Sequence, residues 1–306
     1  MHFDASANEA ATGTVVLLRT HSFGAPTRAF FERLAAESGH RAVLLVDESS
    51  DADYEGFEKI GFTRQVYEAM DLYCPDDFSW RCGDYALYLA RRSFPNATHF
   101  WLVEYDVRLS VPHLSRFFEI FSETEDVDLA AALLGRRYSD WYWHSSIADR
   151  HRDIYGCLFS LLRISARAID HLLTRRIAAS AEERTTGPGI PKSWPNDEAF
   201  VATELVSAKF KCRDLNGFGR DVYNKETFSF DRPIQGETFD QQPFDGLAYH
   251  PVLYGAAFIE KLHKISRHRR RNLPSRIMNR CRRLDALFIR AARRLVTGEK
   301  EIDFGA

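Results

Sequence analysis

Two apolar runs, "TVVLLRT" (14–20) and "RAVLLVDES" (41–49), flank a segment with a different rhythm. Each run is short and nearly continuous in Val and Leu, as strands buried on both faces are. Between them, "APTRAFFERLAAES" (25–38) repeats its apolar residues at helical spacing through Phe30, Phe31, Leu34 and Ala35, and Gly39 can cap it. Strand, helix and strand of these lengths form a βαβ unit, which requires parallel strands and places the chain in the α/β class. The pattern continues with a helix over 82–94, a strand over 97–106, further strands over 127–135 and 155–165, and a helix over 166–180. A Gly- and Pro-bearing loop is expected over 181–195, then a helix over 196–209 and a short strand over 210–215. From there to about Ala256 the chain reads as loop, after which helix returns; no internal repeat is present.

With 306 residues and 45% hydrophobic content, the chain can bury a large core and is not of disordered composition. The five cysteines are odd in number and form no CxxC, so neither a disulfide framework nor a zinc ribbon is suggested, and a reducing, cytoplasmic setting is expected. The start, "MHFDASANEAATG", lacks the basic and apolar regions of a signal peptide, and no apolar run approaches the roughly 18 residues of a spanning helix.

The stretch "HFWLVEYDVRLS" (99–110) changes from buried strand to exposed acid within a few residues. Ligands of open parallel sheets bind outside the carboxyl ends of the strands. Strand alternation puts Glu104 and Asp106 on one side, where two carboxylates can hold a hard divalent cation and leave positions open for phosphate oxygens. The bland alternative is a loop acid paired with Arg108 or closing a turn. Further on, "PNDEAFVATEL" (195–205) sets Asp197 and Glu198 in the first turn of a helix, where the macrodipole favours anions, and His250 lies beyond the last strand in "LAYHPV".

In this order the chain resembles the GT-A fold glycosyltransferases. The resemblance covers roughly residues 13 to 255, and the string "WLVEYDVR" looks like that of little-characterised bacterial and fungal proteins assigned to this superfamily. It implies a Rossmann-like, mostly parallel sheet flanked by helices, with a nucleotide-binding half over about 13–110 and an acceptor half over about 111–258. It also implies Mn²⁺ or Mg²⁺ held on a nucleotide diphosphate by Asp106, Glu104 and His250, with Glu standing where the first acid is more usually Asp. Glu198 would be the base of an inverting transfer, with Asp197 in reserve. The expected partners are a UDP- or GDP-type nucleotide-sugar donor and a glycan or lipid-linked acceptor in the synthesis of a cell-surface or extracellular polysaccharide.

Other residues take roles in that light. Arg19 and Thr20 follow the first strand, where the superfamily places nucleotide contacts. Asp47 could face the base or close a turn, and Asp84 could contact the ribose or serve as a helix N-cap. Trp141, Tyr142 and Trp143 could stack on an acceptor sugar or form a core cluster. His144 and His151 lack metal-helix spacing and read as structural. "RTHSFGAPTR" (19–28) carries only Gly24, which argues against a nucleotidyltransferase with a Gly-rich first loop; a non-catalytic module of the same fold is the other rival.

The last segment, 259–306, reads as a basic helical extension. Between Lys261 and Lys300 there are 14 Lys and Arg and 2 acids, so a chain of net charge −2 carries about −14 elsewhere. Ile277, Cys281, Leu284, Phe288, Ala291 and Leu295 form one apolar stripe flanked by arginines. Such a helix can lie on an anionic membrane at the inner face of the cell, or pack on its own acidic domain; nucleic acid is not the expected partner.

Overall fold

The computed structural model describes residues 13–49, 52–122, 126–186 and 194–271. The chain begins β1 (Gly13–Thr20), α1 (Ala25–Glu37), β2 (Arg41–Asp47), β3 (Lys59–Phe62) and α2 (Arg64–Glu68). Two helices follow, α3 (Phe78–Arg81) and α4 (Tyr85–Ser93), then β4 (Ala97–Glu104), β5 (Arg108–Leu109) and α5 (Ser115–Glu119). The second half runs β6 (Leu129–Arg137), β7 (Ile154–Ser165), α6 (Ala166–Thr186), α7 (Asp197–Ser207) and β8 (Cys212–Asp214). Last come β9 (Ile234–Gln235), α8 (Gly236–Phe239), β10 (Ala248–Tyr249), β11 (Val252–Leu253) and α9 (Gly255–Arg271).

Seven strands make one sheet in the order β3-β2-β1-β4-β7-β6-β8. All neighbours are parallel except at β7, which runs against both β4 and β6. The α/β class and the helix-flanked, mostly parallel sheet expected of a GT-A-like chain are both present. Alternation along the central strands explains their unbroken apolar character. Val15, Leu17, Phe100 and Leu102 enter one layer with α4, α6 and α7, whereas Val16, Leu18, Trp101 and Val103 enter the other with α1 and α5.

The strand directions gather the carboxyl ends of β1, β2, β4, β6 and β8 at one edge, and β7 starts there because it runs the other way. Several local expectations change. The helix α6 extends to Thr186, into the stretch read as loop, while 187–193 lie outside the described residues. The stretch read as loop from 216 to 255 contains β9, α8, β10 and β11, whose two-residue pairings are too short to leave a periodic signal. The apolar stripe from Ile277 to Leu295 lies outside the described residues.

Candidate active site

Strand register builds the first part of the site. Arg19 and Glu104 are partners across β1 and β4, on the side that faces α7. The Arg19 Nη1 donates to Glu104 Oε1 at 2.6 Å, and Nη2 donates to the Ser79 carbonyl. Burial pushes the Glu104 carboxyl up, and Arg19 opposes that shift. Burial also disfavours the Arg19 charge, yet Glu104 and Asp197 more than offset it and hold the guanidinium above its ordinary value.

Asp106 does not share the side of Glu104 by alternation, because β4 ends at Glu104 and residues 105 and 106 form a turn. The turn aims Asp106 at His250. The Asp106 Oδ1 and His250 Nε2 lie 3.5 Å apart. The His250 Nδ1 donates to the Ser229 carbonyl at 2.7 Å, which leaves Nε2 as the nitrogen that faces the carboxylate. Pairing of Tyr249 with Arg108, and the Val252 N–H donating to the Asp106 carbonyl at 2.7 Å, hold the two segments together. Arg108 bonds the carbonyls of Tyr105 and Val107, so the bland pairing of the acids with Arg108 is not what is found.

The residues present fit a hard divalent cation. Asp106 offers a carboxylate oxygen and His250 its Nε2 on the same side, with the Ser229 bond holding the imidazole in that orientation. Glu104 has Oε1 committed to Arg19, so Asp106 and His250 form the direct pair. Among the described residues no group of three or more His, Cys, Asp or Glu side chains is placed to hold a metal ion.

The third part is the start of α7, capped by the Asn196 side chain accepting from the Ala199 N–H at 3.1 Å. Asp197 is buried, with Oδ2 accepting from the Gly83 N–H at 2.9 Å and Oδ1 from the Glu198 N–H at 2.7 Å. Burial, with Glu198 and Asp84 nearby, pushes its carboxyl well up. Glu198 is only half-buried. Burial raises it to about 7, against the pull of Arg137 and of hydrogen bonds from the Phe159 backbone, the Asn196 side chain and the Trp143 side chain. A carboxyl poised there can take a proton at neutral pH.

Aromatic rings wall this carboxyl. Trp143 packs against Tyr142 at 4.5 Å and Trp80 at 5.2 Å between ring centroids, and Arg81 lies over it at 5.3 Å. Tyr142 and Trp80 are largely exposed, so their faces are open, while Trp141 packs inward under Arg137 and against Gly156. Trp80 gives no signal in the sequence, because one Trp in a short helix carries no pattern.

Three residues expected to contact the nucleotide, Asp84, Thr20 and Asp47, make contacts within the protein. Asp84 is fully buried and gives both oxygens to Arg176, at 2.8 and 3.1 Å, and one also to the Tyr88 hydroxyl at 2.6 Å. It therefore faces neither ribose nor solvent, and its side chain makes no cap bond either. The Thr20 hydroxyl closes a turn with Ser22, and Asp47 Oδ1 accepts from the Ser49 N–H at 3.0 Å, the turn role left open for it. His151 joins Glu204 at 3.1 Å, which ties the segment before β7 to α7.

The sequence matches no family model and shows no significant match to a curated protein. Its structure is similar to that of a glycosyltransferase involved in the glycosylation of the major capsid of PBCV-1, with 10% identity over 82% of this chain and 98% of that one and a TM-score of 0.39. It is similar to mouse xyloside xylosyltransferase 1 in its apo form, with 13% identity over 78% and 97% and a TM-score of 0.42. It is also similar to mannose-1-phosphate geranyltransferase from Thermus thermophilus, with 12% identity over 73% and 84% and a TM-score of 0.37. Likenesses at this level carry no argument about chemistry, which rests on the residues described above.

Proposed function

We propose that the chain is a metal-dependent, inverting glycosyltransferase that moves a sugar from a UDP- or GDP-type donor to a hydroxyl of a glycan or lipid-linked acceptor, in making a cell-surface or extracellular polysaccharide. The observation that carries this reading is Glu198: a half-buried carboxyl raised to about 7, bonded to Trp143 in an aromatic wall, at the sheet edge that also bears Asp106 and His250. Asp106 and His250 would hold Mn²⁺ or Mg²⁺, which when bound offsets the charge of the departing diphosphate. Arg19, through Glu104, keeps the strand end in place beside it. Glu198 accepts the proton of the acceptor hydroxyl as its oxygen bonds the anomeric carbon and the bond to the diphosphate breaks. The exposed faces of Tyr142 and Trp80 receive the apolar side of the acceptor ring.

The test pairs two variants. Glu198→Gln should lower transfer by about 10²-fold or more while donor binding stays near that of the parent. Asp106→Asn should abolish the Mn²⁺-dependent part of nucleotide diphosphate binding, read by thermal shift with and without Mn²⁺. Full transfer by the first variant would reject Glu198 as base, and unchanged Mn²⁺-dependent affinity in the second would reject the metal seat.

A further inference from the structure

Strand β6 is irregular where it approaches the site. Its register with β7 slips between Ala131 and Ala132 and again between Ala132 and Gly135, and Leu133 has φ of 55°. A branched residue rarely adopts that conformation, and where it persists the surroundings must hold it. Here the Tyr223 hydroxyl accepts from the Leu133 N–H at 2.8 Å, Asp214 Oδ2 accepts from the Leu134 N–H at 2.9 Å, and Tyr223 in turn donates to Asp214 at 2.7 Å. Bulges of this kind re-aim a side chain.

The side chain re-aimed is Arg137, at the end of β6. Its Nη2 donates to the carbonyl of Leu133, within the bulge, and lies 3.5 Å from the Gly156 carbonyl. The guanidinium sits 5.5 Å from the centroid of Trp141. Gly156 permits this packing, since a Cβ there would lie 2.5 Å from Trp141 and 3.1 Å from the Arg137 side chain. Neighbouring arginines have acidic partners: Arg81 with Asp77 at 2.7 Å, Arg136 with Asp153 at 2.5 Å, Arg19 with Glu104 at 2.6 Å. Arg137 makes no ion pair among the described residues, and its Nε, although buried, has no hydrogen-bond partner.

A guanidinium held on the Leu133 carbonyl of a strained bulge, packed on Trp141 and with no carboxylate in ion-pair contact keeps positive charge available to an anion. It stands beside the aromatic wall and acts on Glu198. We propose that Arg137 is the acceptor-selecting residue, and that the acceptor sugar carries an anionic group, a carboxylate or a phosphate, close to the hydroxyl that reacts. This rests on the glycosyl-transfer reading for its setting, but the anion subsite can be measured without transfer.

The experiment uses the full chain and three saccharides that differ in one group: a glucose-terminated disaccharide, its glucuronate counterpart and its glucose-phosphate counterpart. Binding is read by NMR titration without donor or metal. At least one acidic saccharide should bind about tenfold or more tighter than the neutral one, the scale expected of a charge-assisted fork. The carboxylate and phosphate arms say which anion is used. Arg137→Gln should erase the preference, bringing acidic and neutral affinities together, and Arg137→Lys should retain part of it. Should Arg137→Gln fail to fold, Arg137→Lys and Tyr223→Phe must each reduce the preference. Absence of any acidic preference in the parent, or its persistence in the folded variants, overturns the proposal. Acid-selective binding in a protein that transfers no sugar would overturn the transfer reading alone.

Discussion

Arg176 and Asp84 are both fully excluded from solvent and joined by two hydrogen bonds, although they stand 92 positions apart in the chain. The ion pair ties α4 to α6. Arg176 also donates to the Pro195 carbonyl at 3.0 Å and lies 3.7 Å over the Phe200 ring, so it fixes the entry to α7. Replacing Arg176 by Met leaves a buried carboxylate with only the Tyr88 hydroxyl. Removing one partner of a buried pair costs about 3–5 kcal/mol. For a domain of this size that is a fall in Tm of about 10 °C, at about 2–4 °C per kcal/mol. Removing the charge altogether should reverse most of this. In Asp84→Leu/Tyr88→Phe/Arg176→Met no buried ion or orphan hydroxyl remains, and the residual cost is the unmet Pro195 carbonyl, about 1 kcal/mol or somewhat more. Urea titrations of parent, single and triple variants measure both steps. A single variant within about 1 kcal/mol of the parent, or a triple no more stable than the single, would refute the reasoning. The triple should still be a poor catalyst, because a shift of about 1 Å at a positioned group costs about 10²-fold.

Gly83→Ala would place a Cβ 2.4 Å from Asp197 Oδ2 and 2.7 Å from Arg19 Nη1, so Mn²⁺-dependent nucleotide affinity and stability should both fall, the latter by about 1–3 kcal/mol in a urea titration. Tyr223→Phe orphans the Leu133 N–H and should cost about 1–3 kcal/mol, read in the same way. The transfer rate should rise with pH through about 7 and then level, since Glu198 works as the carboxylate, and a flat profile between pH 6 and 8 would speak against that base. The stability effect has the opposite sense: a carboxyl raised from its ordinary 4.5 to about 7 contributes stability fully present below 4.5 and lost as pH rises through about 7, so Glu198→Gln should flatten that part of the stability–pH curve.

The parallel half of the sheet was legible because its signals are local. β1, α1 and β2 each show their own period, and the acids at the end of β4 interrupt an apolar run. His250, Asp197 and Glu198 stand out only by chain order and by the resemblance it carries, and nothing local in the sequence gives their geometry. Asp84 shows the limit: an acid at the start of a helix reads as exposed unless its partner is known, and Arg176 sits in another helix with nothing to mark it. The reversal of β7 was equally hidden, since a strand buried on both faces has the same composition in either direction. Arg137 carries no signal in the sequence, because its placement depends on the β6 bulge, and a positive φ at Leu133 is held by Asp214 and Tyr223, some 80 and 90 residues away.

That reversal also decides where the aromatic wall stands. β6 ends at the ligand edge of the sheet, and β7, running back from the same edge, keeps the intervening residues 138–153 above it. With β7 parallel to β6, the connection would have to return along the sheet to its opposite edge, and Trp143 could not reach Glu198. The charges at this edge are then kept apart by chemistry. Glu104 receives Arg19, a full cation at 2.6 Å, and so stays paired near the strand end. Asp197 has both oxygens occupied by backbone N–H groups, those of Gly83 and Glu198. Glu198 is thereby left to burial and to the weaker pull of Arg137, which is why its carboxyl titrates near 7. A direct bond from Arg19 would hold Glu198 ionised and make it a feeble proton acceptor, so the proposed base depends on Arg19 being spent on Glu104.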